Sequence, residues 1–245
     1  MKDRFTPAHF FSVGLAAAGL LAAPRAHACG VSASGVSSCS LEEHDEAVRP
    51  HWAVGVSGLY TSTRLRFSGS LHADQIRYAS LATLAYLPTP KLVLQLSAGA
   101  AFGGSLTTPD GEHTFSPGPT AALGLDYRAF DDGRYFLLLT SSLSFATART
   151  LLGNEPSVAY TAFDLRVGAE AGLQLASVFR PYAVVRAFGG PVRWHYLGEA
   201  VTGRDTHQYQ AGAGLGARLM KTLSVAVEGV PLGERAFSLG ASFAF

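Results

Sequence analysis

Charge is what this chain most lacks. Only 15% of its 245 residues are Asp, Glu, Lys or Arg, against about 25% in an average globular domain. With 19 basic and 18 acidic residues the net charge is +1, so no basic face is large enough to hold nucleic acid by neutralising phosphates. There are two cysteines, Cys29 and Cys39, and their spacing fits no short metal motif. The apolar run at residues 10–23 falls short of the roughly 20 residues a membrane-spanning helix needs. Apolar side chains (48%) and glycine (27 residues) are plentiful. That excludes disorder, because such a chain can bury ample apolar area, and it fits one domain or at most two small ones.

Lys2 and Arg4 precede the apolar run and Ala26-His27-Ala28 follows it, which are the parts of a secretory signal peptide. Residues 1–28 are read as that signal. Cleavage after Ala28 makes Cys29 the first mature residue, which raises the alternative of a lipoprotein. A lipobox, however, prefers an aliphatic residue where Ala26 stands and a small one where His27 stands. In an exported segment, residues 29–50, a Cys29–Cys39 disulfide is expected to close a Gly/Ser-rich loop. The sharper alternative is a metal site that adds His44 and His51 beside the acidic stretch 42–46. Disulfide plus solvated linker is the simpler reading, and neither metal nor cofactor is expected.

After Pro50 the pattern alternates with period 2 to the last residue, the signature of β-strands with two unlike faces. Between Val158 and Leu175, Phe163, Leu165, Val167 and Leu173 share one face while Asp164, Arg166 and Glu170 share the other. Eighteen residues without a break is about three times a typical soluble strand, whereas a tilted strand crosses a bilayer in about 9–11 residues. Strands are expected at 52–66, 74–87, 91–103, 118–129, 135–148, 158–175, 182–194, 207–220, 222–230 and 235–245, with a bulge at Gly189-Gly190-Pro191. A count of eight follows if the second or ninth is not a strand.

The connections alternate in length. Those near 88–91, 131–134, 176–181 and 221–222 are short; 104–117, 150–157 and 195–206 are longer and more polar, while those near Gly69 and Pro231 are short. Aromatics are expected as girdles at two membrane interfaces, with Trp52, Tyr127, Phe130, Tyr135 and Tyr182 at one and Tyr160, Trp194, Tyr196 and Tyr209 at the other. In the last strand Phe237, Leu239, Ala241, Phe243 and Phe245 share one face. This resembles the terminal strand of bacterial outer-membrane β-barrels, and residues 52–245 resemble them in general architecture, which makes 51–245 the expected barrel domain. The resemblance implies an antiparallel up-and-down transmembrane barrel of about ten strands, with short turns and the N-terminal segment periplasmic. It also implies contact with outer-membrane lipids and delivery to the barrel-assembly machinery through the strand ending at Phe245. A soluble exported β-sandwich is the rival, but it would have shorter strands.

With the apolar faces on lipid, the lumen receives Lys91, Asp126, Arg128, Asp164, Arg166, Glu170, Arg186, Arg218 and Glu228. Arg166, Glu170, Arg186 and Glu228 are expected to form a mid-lumen constriction. One reading is a narrow passive pore for small polar solutes, with room along the small inner residues Gly212, Gly214, Gly216, Ser238, Gly240 and Ser242. The other is a structural or adhesion barrel, sealed by paired charges and binding through its loops. A third, an outer-rim hydrolase, draws on His72, His113, His195 and His207. Asp205 with His207 is its one suggestive pair, and no catalytic residue is assigned.

Overall fold

The computed structural model describes residues 52–68, 71–153, 156–175 and 178–245. The expected signal peptide and the Cys29–Cys39 disulfide lie outside the described residues. Thirteen strands follow one another among those described: β1 (Trp52–Phe67), β2 (His72–Thr89), β3 (Leu92–Thr108), β4 (Gly111–Phe115), β5 (Gly118–Asp131), β6 (Tyr135–Leu151), β7 (Val158–Leu173), β8 (Phe179–Gly189), β9 (Val192–Tyr196), β10 (Glu199–Asp205), β11 (Tyr209–Arg218), β12 (Leu223–Gly233) and β13 (Arg235–Ala244).

All pairings are antiparallel, and they close into a ring. At the end carrying Trp52 and Phe245 the order is β1-β2-β3-β5-β6-β7-β8-β11-β12-β13, and β13 returns to β1 from Ala53↔Ala244 to Ser62↔Arg235. Ten strands therefore form this section. At the far end β4 replaces β5 between β3 and β6, β9 continues β8 against β7, and β10 pairs directly with β1 at Leu65↔Asp205, Arg66↔Arg204 and Phe67↔Gly203. The β12–β13 hairpin ends below that level, so the far section closes with eight strands. Closure satisfies every ladder without leaving an edge.

Two expectations about the connections are corrected. Residues 104–117 and 195–206 are mostly strand, not loop: β3–β4 turns at Pro109-Asp110 and β9–β10 turns at Leu197-Gly198. Both residues of the latter turn have positive φ (50° and 83°), as a two-residue hairpin of type I′ requires. The expected bulge at Gly189-Gly190-Pro191 is a gap in the strand without a change of register, since Leu165↔Gly189 and Ala162↔Val192 lie on one continuous pairing. Proline there removes a ladder donor but inserts no extra residue.

The wall reverses its polarity along its length. On β1 the outward residues run from Trp52, Val54 and Val56 to Arg64 and Arg66, while the inward ones run from Ser57 to the buried Leu65 and Phe67. Around the ten-strand section Leu96, Leu123, Leu143, Phe163, Leu165, Val185, Phe237 and Leu239 all stand exposed on the outside. A charged side chain there would cost about 2–4 kcal/mol at the bilayer midplane. Inside the eight-strand section Leu65, Phe67, Leu106, Phe115, Tyr160, Val192 and Trp194 form one buried apolar cluster.

Candidate functional site

Charged side chains of both signs gather in the lumen, and the strands deliver them in layers. In the middle of the ten-strand section Arg186 on β8 bridges two carboxylates. Its Nη2 donates to Glu170 Oε1 on β7 (2.7 Å) and its Nη1 to Glu228 Oε1 on β12 (2.6 Å). All three are buried. The Tyr182 hydroxyl donates to Glu228 Oε2 (3.2 Å), and Arg186 Nη1 also donates to Gln210 Oε1 (3.2 Å). Gln210 then passes the network upward by donating to Glu234 Oε1 (3.1 Å). Arg166 holds Glu234 with two nitrogens (2.8 and 3.3 Å), donates to Asp164 through Nε, and lies 4.7 Å from the centre of the Phe188 ring. Beside this network Gln95 donates to the buried Asp126 (2.5 Å).

Above it the eight-strand section is closed by rings. Trp194 has zero exposure; it packs 5.5 Å from Phe67, 4.7 Å from Tyr196 and edge-on to His113 at 4.9 Å. Its indole N–H donates to Thr150 Oγ1 (2.9 Å), and the buried Tyr160 hydroxyl donates to Gln75 Oε1 (2.8 Å). Arg77 lies under this cluster, 5.3 and 5.5 Å from the centres of the Phe115 and Tyr160 rings. An eight-strand bore is just wide enough for side chains to fill, and here aromatics fill it. Among the described residues the lumen keeps cavities of about 140 Å³ beside Thr63, Arg77, Asp205 and Glu234 and of about 120 Å³ beside Ser57, Thr120, Gln210 and Ser238.

Of the expected lumen residues, Asp164, Arg166, Glu170, Arg186 and Glu228 come together. Arg218 does not join them. It lies at the mouth on the side of Trp52 and Phe245, where Arg180 stands 4.4 Å from the centre of the Phe136 ring and feels the charges of Asp131, Arg128 and Arg218. Lys91 is an exposed turn residue outside the lumen. Tyr160, Trp194 and Tyr182, expected in the aromatic girdles, face inward and are buried. The glycine-lined wall is not open along its whole length: a Cβ on Gly214 would run into the Tyr182 ring. Asp205 and His207 part company, since Asp205 accepts a hydrogen bond from Thr63 Oγ1 (2.7 Å) while His207 is exposed beyond the end of β10.

Sequence reasoning missed Glu234 and Gln210. Glu234 sits in the turn between β12 and β13, a position ordinarily solvated, and is buried because β10 closes over that turn. The shortness of the connection near Pro231 was the available signal.

A closed antiparallel ring with an apolar outer belt and a charged interior is the fold of bacterial outer-membrane β-barrels. It is similar in fold to the outer membrane protease OmpT from Escherichia coli (TM-score 0.51, 11% identity, covering 79% of this chain and 96% of that one). It is likewise similar to the translocator domain of the autotransporter NalP from Neisseria meningitidis (TM-score 0.51, 8% identity, covering 84% and 91%). No protein-family model matches the sequence, and no curated protein matches it.

Proposed function

We propose that this protein is an outer-membrane barrel whose lumen is sealed at rest and whose partners meet it on the outside. The observation that supports it is the Glu170–Arg186–Glu228 bridge, buried inside the lumen where it ties together the β7, β8 and β12 side of the wall. The aromatic cluster around Trp194 adds a second seal in series. In this reading the termini face the periplasm, the far end faces the exterior, and the C-terminal strand, with Phe237, Leu239, Phe243 and Phe245 exposed, is what the barrel-assembly machinery reads. The short turns leave little loop for adhesion, so the hairpins β3–β4 and β9–β10 are the exposed surface. No reaction is assigned.

The two cavities, each with charged side chains in its lining, favour a second reading, a narrow facilitator for small polar solutes that opens when both seals move. Two guanidiniums, of Arg166 and Arg186, face four carboxylates, of Asp164, Glu170, Glu228 and Glu234, in the network, so such a path would favour cations. The test is conductance of the purified protein in planar bilayers. A sealed barrel gives no steps in the wild type or in either single variant, Trp194→Ala or Arg186→Met, and small cation-selective steps in the double variant. Steps in the wild type would overturn the sealed reading in favour of the pore.

A further inference from the structure

The outer wall at the closure of the eight-strand section carries five exposed arginines in one sector: Arg64 and Arg66 on β1, Arg193 on β9, Arg204 on β10 and Arg235 at the start of β13. In a chain of net charge +1 this is a local concentration of cations. Of the nearby acids, Asp74 is taken up by Arg64 in a two-pronged contact (2.7 and 3.0 Å), and Asp205 and Glu234 are engaged inside the barrel.

Arg66 and Arg204 are directly opposite one another on neighbouring antiparallel strands, both exposed on the outer face. Like charges so opposed destabilise a sheet, and an anion between them turns that cost into a gain. A groove of about 450 Å³ opens at this pair, lined by Arg66, Ser68, Pro191, Thr202, Arg204 and Gln208. Two guanidinium forks, two hydroxyls and an amide suit a tetrahedral oxyanion, which guanidinium binds with two parallel hydrogen bonds.

The height of the groove selects the source of that anion. Gln208 adjoins the exposed ring of Tyr209, and the outer face of β1 changes from Tyr60 to Arg64 at this end of the apolar belt. Amphipathic rings mark headgroup level, so the groove lies just beyond the hydrocarbon, where lipid phosphates are. We propose that it binds the phosphate group of an anionic outer-leaflet lipid between Arg66 and Arg204. Only the assignment to the outer leaflet rests on the orientation proposed above.

The full chain, solubilised in detergent, is titrated with diphosphoryl lipid A, and binding is read by native mass spectrometry. Wild type and Arg149→Gln, a control on β6 away from the sector, are expected to hold the lipid equally. Arg66→Gln/Arg204→Gln is expected to bind at least about tenfold more weakly, the scale of losing charge-assisted hydrogen bonds. Dephosphorylated lipid A is expected not to bind, and millimolar inorganic phosphate not to compete. The double variant should also raise the thermal midpoint of the lipid-free protein, and that gain should vanish when lipid A is present. Equal binding by the double variant, or by the dephosphorylated lipid, overturns the proposal; full competition by inorganic phosphate reduces the groove to a free-anion site and overturns the lipid assignment. Accessibility of the far end to external protease on whole cells tests the orientation separately.

Discussion

The two sections of this barrel are built on opposite rules. In the ten-strand section apolar residues face out and charges face in; in the eight-strand section Arg64, Arg66 and Arg193 face out while Phe67, Tyr160 and Trp194 face in. The same strands carry both patterns, and β7 passes from Tyr160 inward to Asp164, Arg166 and Glu170 inward within its 16 residues. The solvent outside each section dictates the difference. Lipid accepts apolar side chains and forces charges into the bore, whereas water accepts charges and drives apolar rings inward. The far section is thus organised like a small soluble barrel standing on a membrane one.

The strongest way to break this contrast is to remove a charge from the membrane section. Arg186→Met leaves Glu170 and Glu228 buried without their cation and should cost about 3–5 kcal/mol, read as a lower urea midpoint in detergent. Adding Glu170→Gln and Glu228→Gln should return most of that loss. In the far section Trp194→Phe keeps a ring but loses volume and the bond to Thr150, at about 1–3 kcal/mol. Hydrogen exchange should locate its effect in β9, β10 and the top of β1, with the ten-strand section unchanged. A smaller effect of opposite sign is expected at Leu197, which is 75% exposed with φ of 50°. Leu197→Asn places a residue tolerant of that conformation before Gly198 and should stabilise by about 1 kcal/mol.

The smallest test lies in the turn outside the membrane at the opposite end. Asp132 accepts backbone N–H bonds from Tyr135 (2.7 Å) and Arg134 (2.9 Å), which hold its carboxyl below the usual carboxylate range. Because the folded value is depressed, the contribution is present above the ordinary carboxylate value and is lost as pH falls through the folded one. NMR titration of the Asp132 carboxyl should give that low midpoint, and Asp132→Asn should speed exchange of the Tyr135 amide.

Strand periodicity made the membrane section legible, because lipid imposes a single direction on every apolar side chain. It separated Phe163 and Leu165 from Asp164 and Arg166 on the correct faces, and the terminal strand to Phe245 likewise. The far section was not legible in the same way. Alternation reads identically when inside and outside exchange roles, so Trp194 and Tyr160 looked like interfacial rings. Glycine misled for a related reason: Gly214 is small because the Tyr182 ring from the next strand lies over it, a relation between strands that one-dimensional pattern does not carry. The expected count of ten holds at one level. The alternative of eight required the second or ninth segment not to be a strand, and both are strands, β2 and β12; the eight strands of the far section have another cause, the end of the β12–β13 hairpin.

The β12–β13 hairpin decides where one count gives way to the other. Its strands have 11 and 10 residues beside the 16 of β1, and above its turn the chain of β10 lies directly against β1. It acts as a wedge in an otherwise eight-stranded wall. Lengthening this single hairpin would carry the wider bore past the membrane, and shortening it would bring the narrow bore down. The diameter at each depth, and with it the kind of side chain the interior can accept, is therefore written in the length of one hairpin, a quantity that insertions and deletions near residue 233 can change without touching any other strand.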